Sequence, residues 1–215
     1  MKPLVLINFA MSIDARIALG TGEQTRLSGE EDFKRVHELR NSVDAILVGI
    51  GTVLSDDPSL TVKEKYVKNI KNPVRIILDS KLRIPENAKV LNNKSKTIIY
   101  TTVNKKRELN AEIRKCGRKR VDLKCMLEDL YSLGIKSLLV EGGSRVIGSF
   151  LSENLADRVT IYVAPFFIGP DAPPAADFTT AKTMDNMIGM KINSLKKLGE
   201  GILLELIPDV NARNE

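Results

Sequence analysis

Short apolar segments rich in β-branched residues alternate with helix-like segments along most of the chain. The apolar segments carry few polar side chains on either face, which is typical of strands that helices cover on both sides of a sheet. A repeated order of strand, helix and strand builds a largely parallel sheet. The alternation therefore predicts an α/β fold. The expected strands are residues 5–8, 45–48, 74–78, 97–101 and 137–141.

The spacing of apolar residues between these strands predicts four helices. They are expected at residues 30–40, 105–115, 123–133 and 144–155. Ser28 lies three residues before Glu31, which is the spacing of a capping box at the start of the first helix. Asp122 is the expected N-cap of the third helix, because its side chain can accept a hydrogen bond from the first turn.

The last third of the chain has a different pattern. A strand expected at residues 158–164 is followed by a loop rich in Pro, Gly and Ala. Two further strand-like segments, 191–198 and 202–206, flank a Gly-Glu-Gly turn that is typical of a hairpin. The sequence thus predicts a mostly parallel sheet with an antiparallel C-terminal hairpin. We expect a single domain over the 215 residues, with residues 208–215 as a frayed tail.

The charge of the chain is mildly basic and scattered. There are 33 Lys and Arg against 27 Asp and Glu, and there is no Trp. A nucleic-acid surface that stacks bases is therefore disfavoured, whereas a phosphorylated small molecule suits the charge. No apolar run reaches the ~18–20 residues of a membrane helix, and the N-terminal apolar stretch is too short for a signal peptide. We therefore expect a cytoplasmic protein with no nucleic-acid or membrane partner.

His37 is the only histidine, and Cys116 and Cys125 are the only cysteines. The two cysteines fit neither a C-x-x-C redox motif nor a zinc motif. A catalytic triad or a His-rich metal site would have to use His37. Because the residues around His37 have a helical pattern, we interpret it as a helix-face residue, and we predict no metal site.

Two turns that contain glycine follow apolar strands and open helices, at residues 49–52 and 142–145. Glycine lets a ligand approach the backbone closely, and the amides at a helix start favour an anion. Ligands bind open α/β sheets at the carboxyl ends of the strands, so both turns are candidate binding sites. Neither turn has Walker A or G-x-G-x-x-G spacing, and a plain structural connection remains the alternative.

Two carboxylates stand next to these turns. Asp56 could hold a ribose hydroxyl, a ring nitrogen or an amino group, although Asp56 or Asp57 could instead cap the turn before Pro58. Glu141 ends an apolar strand, where a carboxylate must be solvated or paired. Both positions are therefore candidate site residues.

Three segments in order along the chain carry a resemblance to a known family. They are residues 8–14, 44–62 and 141–143, with the sequences NFAMSID, DAILVGIGTVLSDDPSLTV and EGG. They resemble the archaeal and fungal 2,5-diamino-6-ribosylamino-4(3H)-pyrimidinone 5′-phosphate reductases. These are similar to the reductase domain of the bacterial riboflavin-biosynthesis deaminase–reductase. The likeness continues through residues 165–169 and 198–201.

The resemblance implies a dihydrofolate-reductase-like three-layer fold and a homodimer. It also implies NADPH as hydride donor, with NADH as the alternative cofactor. The implied substrate is a phosphorylated pyrimidine whose ribosyl group is reduced to ribityl in riboflavin biosynthesis. The zinc ligands of the deaminase are missing from the sequence, so another protein would deaminate.

The resemblance also implies roles for residues of this chain. Those implied to bind the cofactor are Ala10, Thr52, Asp56, Asp79, Ser80, Gly142, Gly143, Ser144, Arg145 and Val146. Those implied to bind the substrate are Ser12, Arg26, Leu60, Lys63 and Glu141. Asp56 and Glu141 are the expected catalytic carboxylates, which orient the reactants. One of them is a candidate to relay the proton, and water and the substrate phosphate are the alternative donors. Lys63 stands where bacterial relatives usually carry arginine, and Ala15 where many relatives carry glycine.

Two other functions stay open on the sequence. One is a pterin or dihydrofolate-type reductase, which the analogy of fold alone permits. The other is a non-catalytic NADP-binding protein. Arg26 and Lys63 favour a phosphorylated substrate over a pterin, and turnover would separate an enzyme from a binding protein.

Overall fold

The computed structural model describes residues 1–20 and 26–209. In that part of the chain there are nine strands and four α-helices. In chain order they are β1 (Leu4–Ser12), α1 (Glu30–Ser42), β2 (Ala45–Gly49), α2 (Ile50–Asp56), β3 (Val74–Leu78), β4 (Thr97–Thr101), β5 (Glu112–Lys115), α3 (Leu123–Ser132), β6 (Ser137–Gly142), α4 (Ser144–Ser152), β7 (Arg158–Ala164), β8 (Met190–Leu198) and β9 (Gly201–Pro208). Two 3-10 helices lie at Lys89–Leu91 and Met184–Asn186.

The predicted α/β class is confirmed, and most predicted segments correspond to an element. β3, β4 and β7 have the predicted bounds, while β1 continues to Ser12. The helices α1, α3 and α4 lie where they are expected, although α1 extends to Ser42 and α4 ends at Ser152. The first glycine turn opens the short helix α2.

The helix predicted at residues 105–115 is wrong. Residues Glu112–Lys115 form β5, which pairs in parallel with β4, with Ile113 opposite Ile99. Lys, Arg and Glu in this segment favour a helix locally. The strand is held instead by contacts from distant elements: Glu112 pairs with Lys96 at 2.6 Å, and Arg114 pairs with Asp129 of α3. Tertiary pairing therefore overrides local propensity here.

Contacts between residues group the chain into two compact units, each described by itself. The first comprises residues 1–4 and 34–141. Its strands follow the order β5-β4-β3-β2-β6, and β2, β3, β4 and β5 pair in parallel. Every residue of β2 and of β4 is buried. This burial agrees with the apolar run of β2 and with the apolar centre of β4, where Thr97 and Thr101 are buried at the two ends.

The second unit comprises residues 5–33 and 142–215. Its strands follow the order β1-β7-β9-β8, with β1 and β7 parallel and the last two pairings antiparallel. The predicted C-terminal hairpin is thereby confirmed, and Gly199 in its turn has a φ of 57°. A Cβ on Gly201 would lie 2.5 Å from the Tyr162 ring, so β9 can begin there only with glycine.

The sequence predicted capping residues for α3 and for α1, and the structure confirms the one for α3. Asp122 caps α3 as predicted, because its carboxylate accepts a hydrogen bond from the Cys125 amide at 3.0 Å. Glu31, expected to form a capping box with Ser28, accepts a hydrogen bond from the Gly199 amide at 3.1 Å. Glu31 thus connects α1 to the hairpin turn of its own unit.

The single-domain organisation stays a prediction, and part of the expected tail lies in a strand. β9 continues to Pro208, which is opposite Met190 in the antiparallel register. Residues 210–215 lie outside the described residues. In the described ranges, no helix combines the length and the apolar character needed to cross a membrane.

A disulfide joins Cys116 to Cys125, with their Cα atoms 5.9 Å apart. It connects the residue after β5 to the first turn of α3. Between them, Gly117 has a φ of +92°, and a Cβ at this position would meet the backbone of Arg120 and Asp122. The spacing of the two cysteines did not predict this bond.

Candidate active site

The β2–α2 turn places Thr52 and Asp56 on one face of α2. The two residues are four apart on the helix, so their side chains are neighbours, and both are half-buried. No described side chain forms a hydrogen bond or ion pair with the Asp56 carboxylate. Its neighbour Asp57 ends the helix and accepts a hydrogen bond from the Lys89 amide at 2.8 Å. The structural capping role therefore belongs to Asp57, which leaves Asp56 available to a ligand.

Residues 59–63, which we call the 59–63 loop, follow α2 in an unusual conformation. Leu60 is buried and has a φ of 49°, in the left-handed region that a branched side chain rarely adopts. The Val62 amide donates to the side-chain oxygen of Asn72 at 2.9 Å. The hydroxyls of Ser59 and Thr61 lie 3.1 Å apart. The loop that carries two predicted substrate residues is thus held by specific contacts.

Glu141, at the end of β6, forms a two-point ion pair with Arg40 of α1. Nε of Arg40 lies 2.9 Å from one carboxylate oxygen, and a terminal nitrogen lies 2.6 Å from the other. The two side chains are only 19% and 10% exposed. Burial lowers the pKa of Arg40, but the Glu141 carboxylate outweighs it and leaves that pKa above its usual value. Of the two alternatives for a carboxylate that ends an apolar strand, solvation or pairing, Glu141 is therefore paired.

Arg40 and His37 extend this ion pair toward the 59–63 loop. Arg40 also donates to the backbone oxygen of Thr61 at 3.4 Å. His37 is 1% exposed, and its Nδ1 accepts a hydrogen bond from the Lys63 amide at 3.3 Å. The His37 ring stacks on Tyr66 with centroids 4.8 Å apart. His37 is thus a helix-face residue, as interpreted, but one that contacts a predicted substrate loop.

Asp79 and Ser80 form the turn after β3. Asp79 is fully buried, and one carboxylate oxygen accepts from the Ile84 amide at 2.8 Å. Its other oxygen is buried without a hydrogen-bond partner among the described residues. Ser80 accepts from the Val121 amide through its hydroxyl at 3.1 Å. In this structure, both side chains shape the turn, and Ser80 connects it to the segment that the disulfide encloses.

The start of α4 fits an anionic group such as a cofactor phosphate. Gly142 has a φ of 124°, and Gly143 is the N-cap with no side chain capping the helix. The first amides of this nine-residue helix therefore form a positive site that no capping side chain covers. Arg145 is 92% exposed and lies 3.4 Å from Asp177, while Ser144 donates to the Pro174 oxygen at 2.5 Å. Val146 donates its amide to Gly143.

The predicted residues of β1 belong to a hydrogen-bonded turn. The Ser12 hydroxyl is buried and donates to Asp14, whose carboxylate also accepts from the Gly169 amide at 2.7 Å. The hydrogen bond from Ser12 is the main reason that the pKa of Asp14 falls to about 2. Ala15 adopts a φ of 58°, in the left-handed region that glycine enters without a steric cost.

Ala10 and Arg26 lie elsewhere in the second unit. Ala10 packs against the buried cluster that contains Tyr162. Arg26 is half-exposed, pairs with Glu30 at 2.7 Å and lies over the Phe33 ring at 4.2 Å. Its guanidinium is therefore on the surface of this unit, paired but accessible.

The structure connects some of the predicted residues within each unit. In the first, Arg40 and His37 link Glu141 to the 59–63 loop, while Thr52 and Asp56 share a helix face. In the second, residues 142–146 form one helix start, and Ser12 lies in a separate turn. Sequence reasoning missed Arg40 altogether. The signal available was its spacing of three residues from His37, which places both on one face of a helix.

The chain matches a known protein family and is similar to several known proteins. Residues 3–204 match the RibD C-terminal domain. A protein of Methanothermobacter thermautotrophicus is 41% identical over 95% of this chain and 98% of its own length. One of Archaeoglobus fulgidus is 40% identical over 94% and 96%. Both are named 2,5-diamino-6-ribosylamino-4(3H)-pyrimidinone 5′-phosphate reductase.

Solved structures resemble the whole chain. The bifunctional deaminase–reductase of Thermotoga maritima superposes with a TM-score of 0.84 at 28% identity, over 97% of this chain. This chain spans 57% of the length of that protein. A riboflavin biosynthesis reductase of Saccharomyces cerevisiae gives a TM-score of 0.77 at 26% identity, over 97% and 90% of the two chains. These likenesses confirm the expected dihydrofolate-reductase-like fold class.

Proposed function

Because the chain belongs to the RibD C-terminal domain family, which its match over residues 3–204 establishes, we propose that it reduces 2,5-diamino-6-ribosylamino-4(3H)-pyrimidinone 5′-phosphate to the ribitylamino compound. The carrying observation is the 41% and 40% identity, over nearly full length, to two reductases of that name. The reaction belongs to riboflavin biosynthesis, and we propose NADPH as the preferred donor. The expected cytoplasmic location stays a prediction.

The proposed reaction needs no strong nucleophile from the protein. The substrate is an N-glycoside that can open to an imine, and reduction adds a hydride to its carbon and a proton to its nitrogen. NADPH, when bound, supplies the hydride. A protonated imine is already electrophilic, so positioning and electrostatics can provide much of the rate. The residues of this chain therefore need to bind, orient and exclude water.

Each group of residues has a distinct part in this proposal. The start of α4, with Gly143, Ser144 and Arg145, would hold the cofactor phosphates through backbone amides and a cation. Thr52 and Asp56 would bind the cofactor from α2. On the substrate side, the remaining contacts would come from Ser12, Arg26, Leu60, Lys63 and Glu141.

Asp56 and Glu141 are proposed as the catalytic carboxylates. Glu141 keeps a fixed orientation because Arg40 binds both of its oxygens. Its remaining lone pairs would accept hydrogen bonds from the substrate. Asp56, with no described side chain paired to it, would orient a ligand amide or hydroxyl.

Turnover of the aminated ribotide tests the function, followed through the nicotinamide absorbance with NADPH and NADH in separate assays. We expect Asp56→Asn and Glu141→Gln each to lower kcat/KM about a hundredfold, because each loses a charged acceptor at the reaction centre. Asp57→Asn is the matched control, with a rate within about twofold of wild type. Absence of turnover by the wild-type protein, or turnover of dihydrofolate instead, would contradict the proposal.

We propose in addition that the protein is a homodimer formed through β8. This strand is last in the strand order of its unit, so one of its edges pairs with no other strand among the described residues. Ile192 and Leu195 on it are 66% and 60% exposed. An edge strand with exposed apolar side chains is a typical surface for pairing with a second copy.

A further inference from the structure

We infer that His37 and Arg40, on one face of α1, are positioning residues that hold the 59–63 loop beside Glu141 for substrate binding. The inference rests on the proposed function, because Leu60, Lys63 and Glu141 bind substrate only under that proposal. Neither His37 nor Arg40 is itself expected to touch the substrate. Their effect would be exerted through the groups that they hold.

Arg40 is the central group of this arrangement. It binds both carboxylate oxygens of Glu141, at 2.9 and 2.6 Å, and also contacts the Thr61 oxygen at 3.4 Å. A planar guanidinium can make this fork and a third contact at once, whereas a lysine ammonium on a flexible stem cannot reproduce the geometry. The end of β6 and the loop are therefore fixed with respect to each other by one side chain.

His37 holds the other end of the loop. Its Nδ1 accepts the hydrogen bond of the Lys63 amide at 3.3 Å, while its ring stacks on Tyr66. Because the imidazole accepts at Nδ1, that nitrogen must carry no proton. The backbone of Lys63 is thereby fixed, and with it the point from which the lysine side chain reaches toward a substrate phosphate.

The backbone of the loop explains why such contacts are needed. Leu60 has a φ of 49°, a conformation that a leucine avoids unless its surroundings impose it. Three side chains bind the backbone beyond it: Arg40 at Thr61, Asn72 at Val62 and His37 at Lys63. Consecutive backbone groups are thus held by side chains outside the loop. Two of the three come from one face of α1.

The charges around His37 favour the form that this role requires. The groups that face it include Arg40 on its own helix, Lys63 at the end of the 59–63 loop, Tyr66 beyond that loop, and Glu141 at the end of β6. Burial lowers the pKa of His37 to about 4, the charges of Arg40 and Lys63 act in the same direction, and Glu141 opposes them. The imidazole is therefore neutral at pH 7 and can accept. Protonation as the pH falls to about 4 removes the acceptor.

Kinetics of four variants test the inference. His37→Leu removes the acceptor, and Arg40→Lys keeps the charge but loses the fork. We expect each to raise KM for the ribotide about tenfold or more, because the loop groups are misplaced. KM for NADPH should stay within about twofold of wild type. His37→Asn, whose side-chain oxygen can replace Nδ1, should restore the ribotide KM, whereas His37→Gln should not.

Glu38→Gln is the matched control on the same helix. Glu38 is exposed and pairs only loosely with Lys34, at 3.9 Å, so both KM values should remain those of wild type. The inference is overturned if His37→Leu and Arg40→Lys leave the ribotide KM within about twofold, or if both KM values rise together. It is equally overturned if His37→Asn behaves like His37→Gln. The comparison of His37→Asn with His37→Gln tests the positioning role of His37 even if His37→Leu does not fold.

Amide hydrogen exchange of the wild-type protein separates this inference from the proposed function. The Lys63 amide should be protected at pH 7 and lose protection as the pH approaches 4, and an unprotected Lys63 amide at pH 7 refutes the positioning role. If the wild-type protein does not reduce the ribotide, the proposed function fails, whatever the exchange shows. If it does and the variants match it, only the positioning inference fails.

Discussion

Arg40 and Glu141 show what a single buried charge pair demands of the residues around it. The pair is nearly excluded from water, so removal of one partner leaves the other charge without compensation. We expect Arg40→Met to lower the free energy of unfolding by about 3 kcal/mol. The double variant Arg40→Met/Glu141→Leu should recover most of this loss. Urea unfolding measures both, and a single variant as stable as wild type would contradict the expectation.

At Ala15 we expect a substitution that stabilises the protein. Its φ of 58° costs a residue with a Cβ about 1–2 kcal/mol. Glycine avoids this cost. Its greater conformational entropy in the unfolded chain, however, lowers the stability of the folded state by about 0.5–1 kcal/mol. We therefore expect Ala15→Gly to stabilise the protein by up to about 1 kcal/mol. Thermal unfolding is the measurement, and the control Ala88→Gly, at a φ of −58°, should destabilise.

At this scale, the sequence identified residues whose roles follow from their neighbours in the chain. Asp122 is one, because an N-cap accepts from its own first turn. Glu141 is another, since an acidic residue that ends an apolar strand must be solvated or paired. Arg40 and His37 could not be recognised in this way. Their partners lie in the 59–63 loop and at the end of β6, and only the folded chain brings these together.

Among the elements, β5 and α3 are joined by a disulfide bond that the sequence pattern did not predict. The disulfide closes a loop between residues 9 positions apart. Loop closure of this size stabilises a fold by about 2–3 kcal/mol. We expect Cys116→Ser/Cys125→Ser to lower the free energy of unfolding by that amount, and reduction of the wild-type protein to act likewise. Urea unfolding with and without reductant measures it.

Thiol titration is the control for this prediction. The unreduced protein should show no reactive thiol even when unfolded, and two after reduction. Disulfides are rare in cytosolic proteins outside hyperthermophiles, so the titration bears directly on the expected location. Two thiols without reductant would mean that the bond does not form in the isolated protein.

The elements themselves were predictable where their own residues decide them. Strands β2, β3 and β4 are apolar nearly throughout, and the C-terminal hairpin has a glycine-bearing turn. β5 was not predictable, because its charged residues favour a helix until Lys96 and Asp129 are close enough to pair with them. The left-handed Leu60 was equally hidden, since no local signal favours that conformation in leucine.

For the whole molecule, the proposed dimer has a direct test. Light scattering after size exclusion should give a mass about twice the 23.8 kDa of one chain. Ile192→Glu/Leu195→Glu should produce monomers, because two charges on each copy would be buried at the contact. Leu133→Glu, which changes an exposed apolar residue of the first unit, should leave the mass unchanged. A monomeric wild-type protein would contradict the proposal.

The fold class was predictable at this scale because strands and helices alternate in order, which leaves few topologies. The proposed function followed from ordered motifs rather than from fold, since one fold supports many activities. The grouping of residues into two compact units, each assembled from separated stretches of chain, has no such signal. It depends on which distant segments pack together.

The bridge between Cys116 and Cys125 has a consequence for the continuity of the polypeptide. Arg118, Lys119 and Arg120 are exposed and lie inside the span that it closes. Cleavage by trypsin at any of them would yield two fragments that the disulfide still links. On a denaturing gel without reductant, the cleaved protein would migrate with the mass of the intact chain. Reduction of the disulfide would separate the two fragments.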